Sequence, residues 1–240
     1  MSGHSKWSTI KHKKAGIDKV RGNLFSKLSK EITVAAKMGD ANPDMNPRLR
    51  LAVYAARKES MPMDNIKRAI AKAMPGSGEG DYSEIRYEGY APGGVSVIVE
   101  CLTDNKNRTA GEIRSTFAKN GGNLGEINSV AFNFDHVGLF VYKASAAPFD
   151  DMFETAVSGG ARDVEEEDGE YMVTCKIPEF GALMKALEKY GEPESAKIVW
   201  QPRSTVPVAP GEAADKLDRF IELLEDNDDV QTVYTNAEYE

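Results

Sequence analysis

The chain has 240 residues, 41% hydrophobic and 28% charged, close to the averages for soluble globular proteins. That excludes a fully disordered, collagen-like or disulfide-stapled chain, and no apolar stretch approaches the roughly 20 residues needed to cross a bilayer. The net charge of −8 argues at first against nucleic acid, but the charge is unevenly spread. Residues 1–74 hold 16 Lys and Arg against 6 Asp and Glu, a net of +10, leaving −18 for residues 75–240. Such segregation points to a polyanionic partner for the first part of the molecule.

The opening MSGHSKW lacks the apolar core of a signal peptide. Cys101 and Cys175 have no metal-ligand spacing and read as free thiols in a reducing cytoplasm. A polar, basic arm occupies residues 1–20, followed by a helical bundle over 21–74. Within 24–38, Leu24, Phe25, Leu28, Ile32, Ala35 and Ala36 follow the helical period. Leu49, Ala52, Val53 and Ala56 define a second helix over 48–58. Ile66, Ala69, Ile70 and Ala73 define a third, with Pro62 near its start. Residues 75–80, Pro-Gly-Ser-Gly-Glu-Gly, break the helices and read as a linker.

Beyond the linker the period changes from helix to strand. Strands are expected at 83–90 and 95–102, joined by the turn Ala91-Pro92-Gly93-Gly94. A capping box at Thr109-Ala110-Gly111-Glu112 opens a helix through Lys119, and 130–134 reads as a further strand. Residues 137–201 carry strand, helix, two strands, helix and strand, the βαββαβ order of a ferredoxin-like domain. A strand at 205–208, a helix over 212–225 and a strand at 231–234 complete the chain. The expected fold is therefore multi-domain, with an N-terminal three-helix bundle followed by two ferredoxin-like α+β domains. The third domain, 136–203, is inserted into the second, formed by 81–135 and 204–240.

Nothing in the pattern asks for catalysis. His4, His12 and His136 are the only histidines, and no nucleophile, base and orienter fall into a recognisable grouping. Walker A, G-x-S-x-G and H-E-x-x-H are absent. The acidic runs 165–168 and 225–229 read as solvated carboxylates, since neither has calcium-loop spacing. Carboxylates at a helix C-terminus, as in the second run, even oppose the helix dipole. No enzyme activity, metal, cofactor, small-molecule substrate or membrane is expected.

The basic segment is informative. Lys6, Trp7, Lys11, Lys13, Lys14, Lys19 and Arg21 combine phosphate-binding charge with an aromatic able to stack on an unpaired base. Lys30 and Lys37 lie two turns apart on the first helix. Arg50, Tyr54 and Arg57 form a stripe on the second, with Arg48, Lys67 and Arg68 nearby. These are the candidate nucleic-acid contacts, and they do not separate DNA from RNA. A second candidate is Asn105, Lys106, Asn107 and Arg108, delivered to a helix N-terminus whose free N–H groups favour anions. A plain capped turn is the equal alternative.

The chain resembles the YebC/PmpR family, which also includes a mitochondrial translational activator of cytochrome oxidase. The resemblance rests on Gly3-His4-Ser5-Lys6-Trp7, Asn46-Pro47-Arg48-Leu49-Arg50 and Met63-Asp64-Asn65-Ile66-Lys67-Arg68. It continues through Tyr87-Glu88-Gly89-Tyr90, Cys101-Leu102-Thr103-Asp104-Asn105-Lys106-Asn107-Arg108-Thr109 and Gly121-Gly122-Asn123-Leu124-Gly125. It implies a cytoplasmic, three-domain regulatory protein, described for bacterial members as a DNA-binding transcriptional regulator. For other members it implies a ribosome-associated translation factor that relieves stalling on proline-rich stretches. It implies no catalytic residues.

Overall fold

The computed structural model describes residues 19–74 and 82–240. The linker expected at 75–80, and the basic arm apart from its last two residues, lie outside the described residues. Helix α1 (Lys19–Met38), α2 (Pro47–Lys58) and α3 (Met63–Lys72) come first. Ile32, Ala35, Leu49, Ala52, Val53, Ala56, Ile66 and Ala69 are buried together, as a helical stripe requires. Asn46 shapes the turn between α1 and α2. Its Oδ1 accepts from the Leu49 N–H at 3.1 Å, and its Nδ2 donates to the carbonyls of Ala35 and Asp40 at 2.7 and 2.8 Å. Pro47 then takes the first helical position, where its missing N–H removes no helical bond.

Strands β1 (Ser83–Tyr90) and β2 (Ser96–Thr103) form an antiparallel hairpin. Gly93 and Gly94 turn it at φ of 81° and 76°, a region that only glycine enters freely. Helix α4 (Lys106–Lys119) and the short β3 (Asn123–Leu124) follow. Next come β4 (Phe134–Lys143), α5 (Phe149–Ser158), β5 (Ala161–Glu167), β6 (Glu170–Cys175), α6 (Phe180–Leu187) and β7 (Ser195–Pro202). The chain closes with β8 (Val206–Val208), α7 (Glu212–Glu225), β9 (Val230–Thr235) and β10 (Ala237–Tyr239). The fold class is the expected one: three N-terminal helices, then sheet-containing α+β domains.

Two compact units result. One is Asp135–Gln201, and the other joins the residues up to Phe134 with Pro202–Glu240. In the larger unit the sheet order is β3-β1-β2-β9, with β8 and β10 as a separate parallel pair. Val95, Val97, Val99 and Cys101 pack against Ile113 and Phe117 of α4 and Leu217, Phe220, Ile221 and Leu224 of α7. The Phe117 and Phe220 rings meet edge to face at 5.0 Å. Gly89 permits this closeness, because a Cβ there would lie 2.4 Å from the Asn123 carbonyl oxygen and 2.7 Å from the Phe117 ring. In the smaller unit the sheet order is β5-β6-β4-β7, the ferredoxin-like arrangement of a βαββαβ chain. Its core includes Phe140, Tyr142, Met152, Ala156, Val164, Val173, Leu183 and Leu187.

The short strands β3 and β10 add to those expected from the sequence, the inserted unit spans 135–201 rather than 136–203, and two further elements differ from the sequence reading. Helix α4 starts at Lys106 with Asn105 as its N-cap, accepting from the Arg108 N–H at 3.1 Å. Thr109 is therefore not the cap. Residues 130–133 are not a strand: the amides of Val130 and Ala131 are taken by a buried side chain, and the Asn133 N–H turns back to the Val130 carbonyl at 2.9 Å. Glu88 on β1 has no exposed side-chain surface. Its Oε2 accepts from the N–H groups of Val130 and Ala131 at 3.0 and 2.9 Å, and its Oε1 lies 2.9 Å from Arg86 Nε. Arg86 also donates to Asn128 Oδ1 at 3.1 Å. The loop is thus fixed from beneath, while Ile127 and Phe132 stand exposed on it.

A buried carboxylate holding two amides and a guanidinium has a measurable consequence. Glu88→Ala is expected to cost about 3 kcal/mol of stability, since it leaves buried donors without an acceptor. It should also accelerate hydrogen exchange at Val130 and Ala131. Unchanged protection at those two amides contradicts this role.

Candidate nucleic-acid interface

Lys6, Trp7, Lys11, Lys13 and Lys14 lie outside the described residues, and Lys19 and Arg21 fall in the first turns of α1. Lys37 is exposed in the last turn of α1, as are Arg57 on α2 and Lys67 on α3. Tyr54 lies under the Lys58 ammonium, 5.8 Å from ring centroid to Nζ. Other candidates are engaged within the fold. Arg50 donates to the carbonyls of Pro43 and Asp44 at 3.2 and 2.8 Å. Arg68 donates to the Asp64 carbonyl at 3.3 Å and to Asn65 Oδ1. Arg48 makes two bonds to Glu31, at 2.8 and 3.1 Å, and a third to Glu84 on β1.

Lys30 is held most firmly. Its ammonium donates to Asp229 Oδ1 at 2.8 Å and to the Asp228 carbonyl at 2.7 Å. The side chains of Lys30 and Asp229 are only 14% and 3% exposed. Asp229 Oδ2 in turn accepts from the Thr103 hydroxyl at 3.0 Å, Arg108 at 2.7 Å and the Thr109 hydroxyl at 2.8 Å. Arg108 also meets Asp104 at 2.9 Å. The anion that the start of α4 receives within the fold is therefore Asp229, while Asn105 caps the helix and Lys106 and Asn107 stay exposed. A register shift between Glu100 and Cys101 in the β2–β9 pairing, and the Leu102 N–H donating to the Asp229 carbonyl at 2.8 Å, bring Asp229 beside Thr103.

The same junction resolves the acidic end of α7. Asn23 donates to the Asp226 carbonyl at 3.1 Å, and Lys27 donates to the Glu225 carbonyl at 2.5 Å. Two α1 lysines, Lys27 and Lys30, thus sit at the negative pole of α7, where cations are favoured. They offset the carboxylates that oppose the dipole. Burial lowers the Lys27 pKa, against the opposing pull of Glu225 and Asp228. Burial alone would raise the Asp229 pKa, but hydrogen bonds from Lys30, Arg108 and Thr109 outweigh it and hold the carboxyl well below the aspartate range. Around this point a polar cleft of about 560 Å³ is lined by residues that include Ser26, Asp104, Glu112 and Asn227. Among the described residues no group of three or more His, Cys, Asp or Glu side chains could hold a metal ion.

Both cysteines are buried. Burial, aided by the Asp229 charge, pushes the Cys101 thiol up to about 12, and burial pushes Cys175 up to about 11. Neither has the thiolate character that nucleophilic chemistry needs. No helix among the described residues is long and apolar enough to cross a membrane.

Removing the Asp229 carboxylate leaves the largely buried Lys30 ammonium and the buried Thr103 and Thr109 hydroxyls without their acceptor, so Asp229→Ala is expected to cost about 3 kcal/mol at neutral pH. A carboxyl whose pKa is depressed on folding stabilises above its unfolded value, about 4, and loses that contribution as pH falls towards the folded value. The gap in Tm between the native chain and Asp229→Ala should therefore hold steady down to about pH 5 and narrow below about pH 4. A gap that is unchanged down to strong acid contradicts the assignment.

Two family profiles account for most of the chain. The TACO1/YebC protein N-terminal domain matches residues 5–76, and the TACO1/YebC second and third domain matches residues 82–237. The crystal structure of a conserved hypothetical protein from Aquifex aeolicus is similar over its whole length. It shares 43% identity, with a TM-score of 0.83 and coverage of 98% of either chain. The helical domain, the sheet domain and the inserted unit thus all have counterparts in one family. The chain belongs to the TACO1/YebC family.

Proposed function

We propose that this protein is a non-enzymatic, nucleic-acid-binding regulatory protein that grips its partner through the basic N-terminal region. The observation that carries the reading is the charge segregation, +10 over residues 1–74 against −18 over the rest. A polyanion is drawn to the first part and repelled by the second, which favours one orientation of binding. Lys30 and Arg108 are occupied by Asp229, so the contacts fall to the arm and to the exposed Lys37, Arg57 and Lys67. The two buried, raised-pKa thiols are unsuited to act as nucleophiles. Family members are generally described as resembling transcriptional regulators, which favours DNA and a transcriptional role in a soluble, cytoplasmic setting.

A second reading, ribosomal RNA and a translational role, is favoured by one feature. Arg57 and Lys58 close α2 and Lys67 and Lys72 lie on α3, while the one Asn or Gln on these two helices, Asn65, accepts from Arg68, so neither helix presents the Asn or Gln set that reads adenine in a duplex.

Titrating the whole chain against a labelled duplex and against a ribosomal RNA fragment, at several salt concentrations, tests both readings. The logarithm of the affinity should fall linearly with the logarithm of salt concentration. Arg57→Glu combined with Lys67→Glu should weaken binding roughly tenfold at moderate salt. A preference for duplex supports the transcriptional reading, and a preference for the RNA supports the translational one. Failure to bind either contradicts the proposal.

A further inference from the structure

The inserted unit holds two helices, and α6 covers only one flank of α5. On that flank the Thr155 hydroxyl lies 2.8 Å from the Tyr190 hydroxyl, which also reaches the Asp151 carbonyl at 2.7 Å. Gly159 approaches Leu183 and Ala186 so closely that an added Cβ would crowd both. Met152 and Ala156 point into the core and are fully buried. The other flank carries Phe149, Phe153 and Val157, one per turn, at 37%, 45% and 51% exposure. The Phe149 ring lies 6.0 Å from that of Phe153 and 5.8 Å from that of Tyr171 on β6. An apolar stripe therefore runs along α5 on the side of β6 and of β5, one of the two edge strands of the sheet.

Charge borders this stripe on its solvent side. At about 100° per residue, Asp150 and Glu154 follow directly around the helix from Val157, and both are exposed. Helix α5 contains no Lys or Arg. On strand β5 the exposed Glu166, paired with Tyr171, shares the face of the sheet that α5 covers, while the one cation of the strand, Arg162, is turned to Asp135 at 3.3 Å. Residues 135–201 as a whole hold 14 Asp and Glu against 6 Lys and Arg.

We propose that the α5 stripe, with the carboxylates beside it, docks a cationic amphipathic segment of a partner protein. Its apolar side chains cover Phe149, Phe153 and Val157, and its Lys or Arg side chains meet Asp150 and Glu154. Charge decides between the possible occupants. Nucleic acid and anionic lipid are repelled by this unit. A second copy meeting the same face would set carboxylates against carboxylates, since a two-fold contact places like residues near one another. A cationic segment satisfies the stripe and its rim together. The proposal is independent of the nucleic-acid reading, which rests on the opposite end of the chain's charge.

The test uses the full chain and a fluorescent synthetic peptide with a leucine face and a lysine face. Two controls replace its lysines by glutamate or its leucines by serine. The leucine/lysine peptide should bind, and both controls should bind at least tenfold more weakly. Phe153→Ser combined with Val157→Ser should weaken the first peptide roughly tenfold, with circular dichroism and Tm unchanged because both side chains are exposed. Equal affinity for native chain and variant overturns the proposal, as does tight binding of the serine control, which would mean charge alone. Light scattering showing a dimer that the variant loses also overturns it, by making the stripe a self-interface.

Discussion

Asp229 is the point on which the arrangement of the larger unit depends. A carboxylate that is almost fully buried is costly unless its lone pairs are satisfied, and here the donors come from three separate places. Lys30 comes from the helical bundle, Thr103 from the end of β2, and Arg108 and Thr109 from the start of α4. No subset of these elements can move away without leaving charge or hydroxyl groups unpaired in a poorly solvated position. The bundle is therefore fixed on the sheet domain by electrostatics as well as by packing. Arg48 adds a more exposed link from the bundle to Glu84, and exposed pairs of this kind contribute little.

This junction changes the meaning of the charge segregation. Part of the positive excess before residue 75 is neutralised inside the molecule by the negative excess after it. Lys27 and Lys30 lie against the acidic end of α7, and the surface charge left for a partner is smaller than the sequence count. Lys37, Arg57, Lys58, Lys67, Arg68 and Lys72 are exposed on the described helices of the bundle. On the inserted unit the carboxylates remain outward as well, beside apolar side chains on α5. The two ends of the charge distribution thus suit partners of opposite chemistry. Glu88 repeats the buried-carboxylate device with two backbone amides beside a single cation, Arg86, and it fixes a loop rather than a domain.

Much of the fold was legible because its signals are local. The apolar spacing in the three bundle helices, the turn Pro92-Gly93-Gly94 and the βαββαβ order of 137–201 all depend on neighbours a few residues apart. The misplaced elements depend on distant ones. Val130 looked like part of a strand because its apolar character is a strand signal, while its amide is claimed by Glu88, 42 residues earlier. Thr109 looked like a helix cap because the local pattern fits, whereas its hydroxyl is buried against Asp229, 120 residues away. The sequence singles out Lys30 as a nucleic-acid contact and Arg108 as part of a second anion site, and within the fold both are paired with Asp229. That the anion is internal could not be read, because Asp229 sits at the end of an acidic run that resembles an ordinary solvated turn.

The central claim is that Lys30 and Asp229 couple the helical bundle to the sheet domain. A double-mutant cycle with Lys30→Ala, Asp229→Ala and the pair, followed by denaturant unfolding of the full chain, measures that coupling directly. The account predicts an interaction energy of about 2 kcal/mol, with the double variant much less destabilised than the sum of the single ones. Additive single effects, to within about 0.5 kcal/mol, would contradict it.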